Sequence, residues 1–236
     1  MTSWAYYNEI DPFAAQWLRN LISAGLIPGG EVDERSIEDV DPADLRQFRQ
    51  CHFFAGIGGW AYASRLAGWP DDRPLWTGSC PCQPFSSASA GRGKRLEDSR
   101  HLWPEWFRLI RACRPSAVFG EQVARAVDWL AEVKVDMESI GYRFGAADIP
   151  ACAVGADHIR PRVWFLGNAD CDRESGRPEH EETQGLSRHR GFAASVVQAN
   201  GLPPRVARRS TLRGFGNAIV PQVAAQVIAA YMESTA

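Results

Sequence analysis

A thiol that follows a proline, in Pro81-Cys82-Gln83, and a carboxyl group at Glu121 are the side chains here best suited to covalent and acid–base chemistry. Ionised cysteine sulfur is a strong nucleophile, and a carboxyl kept neutral by burial can deliver a proton. Upstream, Phe54-Ala55-Gly56-Ile57-Gly58-Gly59 supplies glycines that let backbone amides approach a ligand, where a following helix would offer its free N–H groups. Each feature also has an ordinary reading. An isolated cysteine is commonly core filler, a glutamate after a strand is commonly solvated, and a glycine run serves a tight turn as readily as a nucleotide-like cofactor. Their relative placement decides between these readings.

The flanking elements supply that placement. Trp4 to Ile10 reads as a short strand, and Asp11-Pro12 opens a helix whose Phe13, Trp17, Leu18, Leu21 and Ile22 form one apolar stripe before the Pro28-Gly29-Gly30 break. Glu31-Val32-Asp33 reads as a strand end, Pro42 to Phe48 as a short helix and Cys51 to Phe54 as a buried strand. The glycine run then enters a helix from Trp60 to Ala67, and the strand Leu75-Trp76-Thr77 stops at Gly78-Ser79-Cys80-Pro81-Cys82. A helix near His101 to Cys113, a strand Ala117 to Gly120 ending in Glu121, a helix Val127 to Ile140, a strand Val163 to Gly167 and a helix from about Gln222 complete the pattern. This alternation predicts an α/β fold with a parallel sheet covered on both faces. Ligand sites gather at the carboxyl ends of such strands, so the glycine run, Cys82 and Glu121 are expected on one rim.

Composition sets the outer bounds. A chain of 236 residues with 45% hydrophobic and 23% charged residues suits one generous folded domain, and no apolar run is long enough for a membrane helix. A net charge of -2 and a pI near 6.2 argue against coating nucleic acid by bulk electrostatics, while leaving room for a local basic groove. The six cysteines include no CxxC pair, and Cys80 and Cys82 lack zinc-knuckle spacing, so reduced thiols and no metal are expected. The opening MTSWAYYNEIDPF lacks a basic start followed by an apolar run, which reads as a cytoplasmic protein with no membrane partner. Asn168 to Arg190 is polar and without apolar periodicity, as in a long loop, a reduced insert or a partly disordered segment.

Motifs in sequence order resemble those of the cytosine-C5 DNA methyltransferase family. Phe54 to Gly59 resembles its S-adenosylmethionine loop, and Gly78-Ser79-Cys80-Pro81-Cys82-Gln83-Pro84-Phe85-Ser86 its nucleophile motif. The stretch continuing to Glu97-Asp98-Ser99-Arg100 is similar to the family's mobile catalytic loop, and Gly120-Glu121-Gln122-Val123 to its Glu-Asn-Val element. His158-Ile159-Arg160-Pro161-Arg162 resembles the Gln-x-Arg-x-Arg element, and Gly216-Asn217-Ala218-Ile219-Val220-Pro221 the closing cofactor-side element. The resemblance implies a Rossmann-like S-adenosylmethionine-dependent methyltransferase sheet acting on double-stranded DNA. It implies a catalytic domain at 1–167 and 214–236, with 168–213 as a much reduced target-recognition insert or flexible loop.

The same resemblance assigns candidate roles. Cys82 is the covalent nucleophile, Glu121 neutralises charge reaching N3 of the base, and Arg160 and Arg162 bring positive charge to the ring oxygen, the phosphate or both. Because Arg160 and Arg162 alternate on what reads as an extended segment, they are expected to point the same way. Phe54, Gly56, Ile57, Gly58, Asn217 and Val220 are expected at the cofactor. Gln83, Ser86, Arg92, Lys94, Arg95, Arg100, Arg208 and Arg209 are expected at DNA, mostly on phosphate. The target base is expected to be flipped out of the duplex.

In the family, ribose- and adenine-binding carboxylates fall between the glycine loop and the Pro-Cys motif, but the stretch from Gly59 to Pro81 holds only one helix and one strand. Asn8-Glu9-Ile10-Asp11-Pro12 and Val32-Asp33-Glu34-Arg35-Ser36-Ile37 resemble the two missing turns, so the chain reads as locally permuted, with Glu9, Ile10 and Asp33 at the cofactor. Gln122 stands where the family has asparagine, and His158 where it has glutamine. Cys80 is expected to pack behind its strand. The alternatives are a catalytically weak or inactive homologue that binds cofactor or DNA, and C5-pyrimidine modification of another nucleic acid.

Overall fold

The computed structural model describes residues 5–81, 102–169 and 218–235. Its strands are β1 (Ala5–Asn8), β2 (Gly30–Asp33), β3 (Gln50–Phe53), β4 (Leu75–Gly78), β5 (Ala117–Val123), β6 (Arg143–Asp148) and β7 (Arg162–Asn168). They form one sheet in the order β2-β1-β3-β4-β5-β7-β6. Every residue of β1, β3 and β4 is buried, the polar Asn8, Gln50, His52 and Thr77 included, which requires cover on both faces.

The helices provide that cover: α1 (Pro12–Ser23), α2 (Pro42–Leu45), α3 (Gly59–Leu66), α4 (Trp103–Cys113), α5 (Val127–Ser139) and α6 (Pro221–Ser234). On one face Tyr6, Phe53, Trp76, Val118 and Phe165 pack with Trp103, Trp106 and Leu109 of α4 and Trp129 and Val133 of α5. On the other, Tyr7 meets Trp17, Leu18 and Leu21 of α1, while Leu75, Phe119 and Trp164 meet Trp60 of α3 and Ile228 and Tyr231 of α6. α1 begins as its sequence dictates: Asp11 accepts the N–H groups of Phe13 and Ala14 at 2.9 and 3.1 Å, and Pro12 occupies the first turn.

β2, β1, β3, β4 and β5 are mutually parallel, and their register aligns Asp33, Asn8, Phe53, Gly78 and Gly120 in a single row across the sheet. Small residues permit this row. A Cβ on Gly78 would lie 2.7 Å from the Trp106 ring, and one on Gly120 would lie 2.1 Å from that of Phe165.

The wholly parallel sheet expected from the sequence is corrected at one end, where β7 runs antiparallel to both β5 and β6. A parallel return needs a crossover of a dozen or more residues, usually a helix. Between β6 and β7 the chain forms only the 3-10 turn Ala151–Val154 and comes straight back. Strand β6 was not anticipated at all. It forms the sheet edge, and its Gly145, Ala146 and Ala147 are exposed, so no apolar alternation marks it. Among the described residues no helix is long and apolar enough to cross a membrane, and no cluster of His, Cys, Asp and Glu could hold a metal ion.

Candidate active site

The residues that follow the aligned row form the rim. Glu9 leaves β1 with its N–H donated to the Asp33 carbonyl at 3.0 Å, and the Ala55 N–H reaches back to the Asn8 carbonyl at 3.0 Å. The turns after β1, β2 and β3 are therefore tied together through their backbones. The Glu9 carboxylate spans two of them, accepting the Asp11 N–H at 2.9 Å and the Gly56 N–H at 2.6 Å. Burial pushes the Glu9 carboxyl above its usual range, against the pull of those two N–H donors. Beside it the Ile10 side chain is 65% exposed, an apolar surface at the mouth of a polar turn.

Backbone shape in the glycine turn follows from its sequence. Phe54, Gly56 and Gly58 have φ of 50, 54 and 83°, in the left-handed region that favours glycine. At Gly58 an added Cβ would also lie 3.0 Å from Leu21 of α1, whereas at Gly56 it would meet nothing nearer than 4.0 Å. Gly58 thus seals the turn against the core, and Gly56 faces open space. Ile57 packs beside the α1 cluster. A Cβ on Gly59 would lie 2.7 Å from Ile219, so the segment leading into α6 presses on the start of α3, with Val220 as the residue before α6.

Asp33 is drawn into a tight network. Tyr6 donates its hydroxyl to Oδ2 at 2.7 Å, Arg35 pairs with Oδ2 at 2.7 Å, and the Arg35 N–H reaches Oδ1 at 2.9 Å. Partial burial opposes the charge, yet Arg35 and the Tyr6 hydroxyl together hold the carboxyl below its usual range. Arg35 also bridges to Asp44 at 2.8 Å. Asp33 therefore stays an acceptor, with much of its capacity already engaged.

At the other end of the rim, Glu121 is buried in β5 and paired with Arg162, Nε to Oε1 at 2.7 Å. Burial pushes its carboxyl above the usual range, against Arg162, Arg160 and a hydrogen bond from Ser79. Arg160 and Arg162 both act on Glu121, but not by simple alternation along an extended segment. Arg160 has φ of 35°, and its Nη2 donates to the Ala218 carbonyl at 2.7 Å, linking this turn to the approach of α6. Gln122 is buried and donates through Nε2 to the Cys80 carbonyl at 3.3 Å. It fixes the backbone two residues before Cys82. Cys80 itself is buried, and burial raises its thiol well above the usual range, which leaves it inert. His158 and Ile159 are exposed.

Cys82, Gln83, Ser86, Arg92, Lys94, Arg95, Arg100, Arg208, Arg209 and Asn217 lie outside the described residues. Of the remaining candidates, Glu9, Asp33 and the glycine turn come together on one side of the rim, and Glu121, Arg160 and Arg162 on the other. The sequence reading missed Tyr6, Arg35, Trp60 and Ser79. A strand tyrosine or a lone serine carries no spacing signal, although Ser79, sitting between a strand end and Pro-Cys, was marked by its position.

The family described as C-5 cytosine-specific DNA methylase matches this chain over residues 68–201, more than half of its length, starting just after α3. Among curated proteins the chain is similar to the type II methyltransferase M.NgoMIV of Neisseria gonorrhoeae, 32% identical over 101 residues, 41% of this chain and 32% of that protein. It is also similar to the type II methyltransferase M.HgiCII of Herpetosiphon aurantiacus, 26% identical over 166 residues, 52% of this chain and 38% of that protein. The matched part spans about a third of the length of these relatives. Among solved structures, the Entamoeba histolytica methyltransferase EhMeth aligns at TM-score 0.45 and 12% identity, covering 78% of this chain and 58% of that one. The S. pombe Dnmt2 methyltransferase aligns at TM-score 0.44 and 16% identity, covering 71% and 42%. Matched by that family over more than half its residues, the chain belongs to the C-5 cytosine-specific DNA methylase family.

Proposed function

We propose that this chain transfers a methyl group from S-adenosylmethionine to C5 of cytosine in double-stranded DNA. The observation that carries the reading is the shared rim. One register row places a carboxylate pair and a glycine turn beside one another, and a buried acid with two arginines at the far end. The residues fit an adenosine-bearing cofactor. Gly56 faces open space, Ile10 offers an exposed apolar surface, and Glu9 keeps lone pairs beyond its two N–H bonds. Glu9 and Asp33 would hold the ribose and adenine, and Phe54, Gly56, Ile57, Gly58, Asn217 and Val220 the rest. The permuted reading is supported by the same row: β1 and β2 precede the glycine turn in sequence yet lie next to it in the sheet.

Cytosine C5 is a poor nucleophile until aromatic delocalisation is broken. In this reading the Cys82 thiolate adds to C6, forming an S–C6 bond and driving the ring electron pair toward C5. Charge also reaches N3, where Glu121 delivers a proton. Burial raises its carboxyl, the direction that favours holding a proton to give. Arg162 holds the Glu121 carboxyl in place, and Arg160 adds positive charge beside it. When bound, the cofactor supplies the methyl group that activated C5 accepts. A water molecule takes the C5 proton, the electron pair of that bond reforms the C5–C6 double bond, the S–C6 pair leaves on sulfur as the Cys82 thiolate, and N3 returns its proton to Glu121. The base must leave the duplex first, and Gln83 to Arg100, with Arg208 and Arg209, would contact the opened DNA.

Incubation with isotope-labelled S-adenosylmethionine and mixed-sequence duplex, followed by nucleoside mass spectrometry, is expected to yield labelled 5-methylcytosine. Cys82→Ala is expected to abolish it while cofactor affinity stays nearly intact. Label in any other nucleoside, or turnover surviving Cys82→Ala, would overturn the reading.

A further inference from the structure

Between the glycine-turn helix and the buried acid lies a side chain with no assigned part. Trp60, at the start of α3, donates its indole N–H to Ser79 Oγ at 3.1 Å, and because Gly78 pairs with Gly120 in register, Ser79 and Glu121 follow side by side on adjacent strands, where the serine hydroxyl favours the charged form of the carboxyl. An indole N–H can only donate, so the Ser79 oxygen must accept from it. The one hydroxyl proton of Ser79 is then left for Glu121. Both neighbours of the serine are buried, Trp60 at 3% and Glu121 at 7% exposure, so water competes little for either bond. We propose that Ser79 is a positioning residue for Glu121: locked by the Trp60 indole, it holds the carboxyl in a single orientation toward the base.

The inference rests on Glu121 acting as the acid, and it adds two residues to that site. Ser79 holds the carboxyl from the β4 side and Arg162 from the β7 side, so the carboxyl is gripped from two strands. The charged groups facing Glu121 among the described residues are Arg162 and Arg160. Ser79 is one residue beyond β4 and, in sequence, three before Cys82, so the segment leading to the thiol also orients the acid. The indole gives this turn a second tie, to α3 and hence to the glycine turn.

The test reads the Glu121 carboxyl directly. In isotope-edited infrared spectra of the full chain, the neutral carboxyl gives a carbonyl band, assigned by its loss in Glu121→Gln. Loss of the Ser79 donor removes a bond that favours the charged form, so Ser79→Ala is expected to move the titration midpoint to higher pH. Trp60→Phe is expected to move it the same way, and Ser79→Thr, which keeps the hydroxyl, to restore it. In turnover assays Ser79→Ala is expected to lose on the order of 10-fold in kcat with the KM for DNA unchanged. A folded Ser79→Ala protein whose midpoint stays at the parental value overturns the proposal, as does a kcat equal to that of the parent. The band needs no turnover, so an unmodified substrate with the parental chain counts against the proposed reaction and leaves the Ser79–Glu121 pair standing.

Discussion

Glu121 and Arg162 form a pair whose two halves depend on each other. The side chains are 8% and 20% exposed, and taking away the arginine would leave a buried carboxyl with its charge poorly compensated. Arg162→Ala is therefore expected to destabilise the chain by about 3 kcal/mol, read as a lower midpoint in urea unfolding. The pH dependence has a definite sign. Burial raises the Glu121 carboxyl in the folded chain, so the folded state keeps its proton to higher pH than the unfolded state. The stability this contributes is complete below the unfolded value, near pH 4, and is lost as pH rises through the raised folded value. Unfolding midpoints of the parent are expected to fall across that window relative to Glu121→Gln, and parallel curves would contradict the burial argument. The rim positions of Glu121 and the glycine turn were legible in sequence because their spacing follows strand ends. The Ser79, Trp60 and Tyr6 contacts were not, since hydrogen bonds between distant segments leave no local pattern.

Among the elements, those with a strong local signature were readable. Asp11-Pro12 set the start of α1, and the apolar residues of Cys51 to Phe54 and Leu75 to Thr77 marked β3 and β4 as strands. Strand β6 has no such signature because its small residues face solvent at the sheet edge. The direction of β7 depends on the brevity of its approach, not on its own residues. Glycine strand ends are a further dependence hidden from sequence: Gly78 is needed because the Trp106 ring lies against it. Gly78→Ala is expected to cost about 1–3 kcal/mol through overpacking, with a matching loss of activity because Ser79 follows directly. Calorimetry alongside the methylation assay would check both, and an unchanged melting temperature would count against the close packing.

At the scale of the whole molecule, the rim draws on segments far apart in sequence. Glu9, Asp33 and Gly56 are joined by hydrogen bonds through the backbone and side chains of three separate turns. A ligand bridging them binds the folded chain and not the unfolded one. S-adenosylmethionine at about 100 times its Kd is therefore expected to stabilise the protein by about 2.7 kcal/mol, seen as a raised Tm. Glu9→Ala and Asp33→Ala are expected to lose most of that gain, while DNA binding in a filter or anisotropy assay changes less. Equal and negligible effects of both would argue against the permuted cofactor site. The orientation of β7 has one more outcome. Register sets Val123, the last residue of β5, opposite Arg162, the first of β7. Had that strand pointed along its neighbours, its opening guanidinium would sit at the opposite border of the sheet, roughly 20 Å away. A single reversed ribbon thus decides whether Glu121 has a cation at its side.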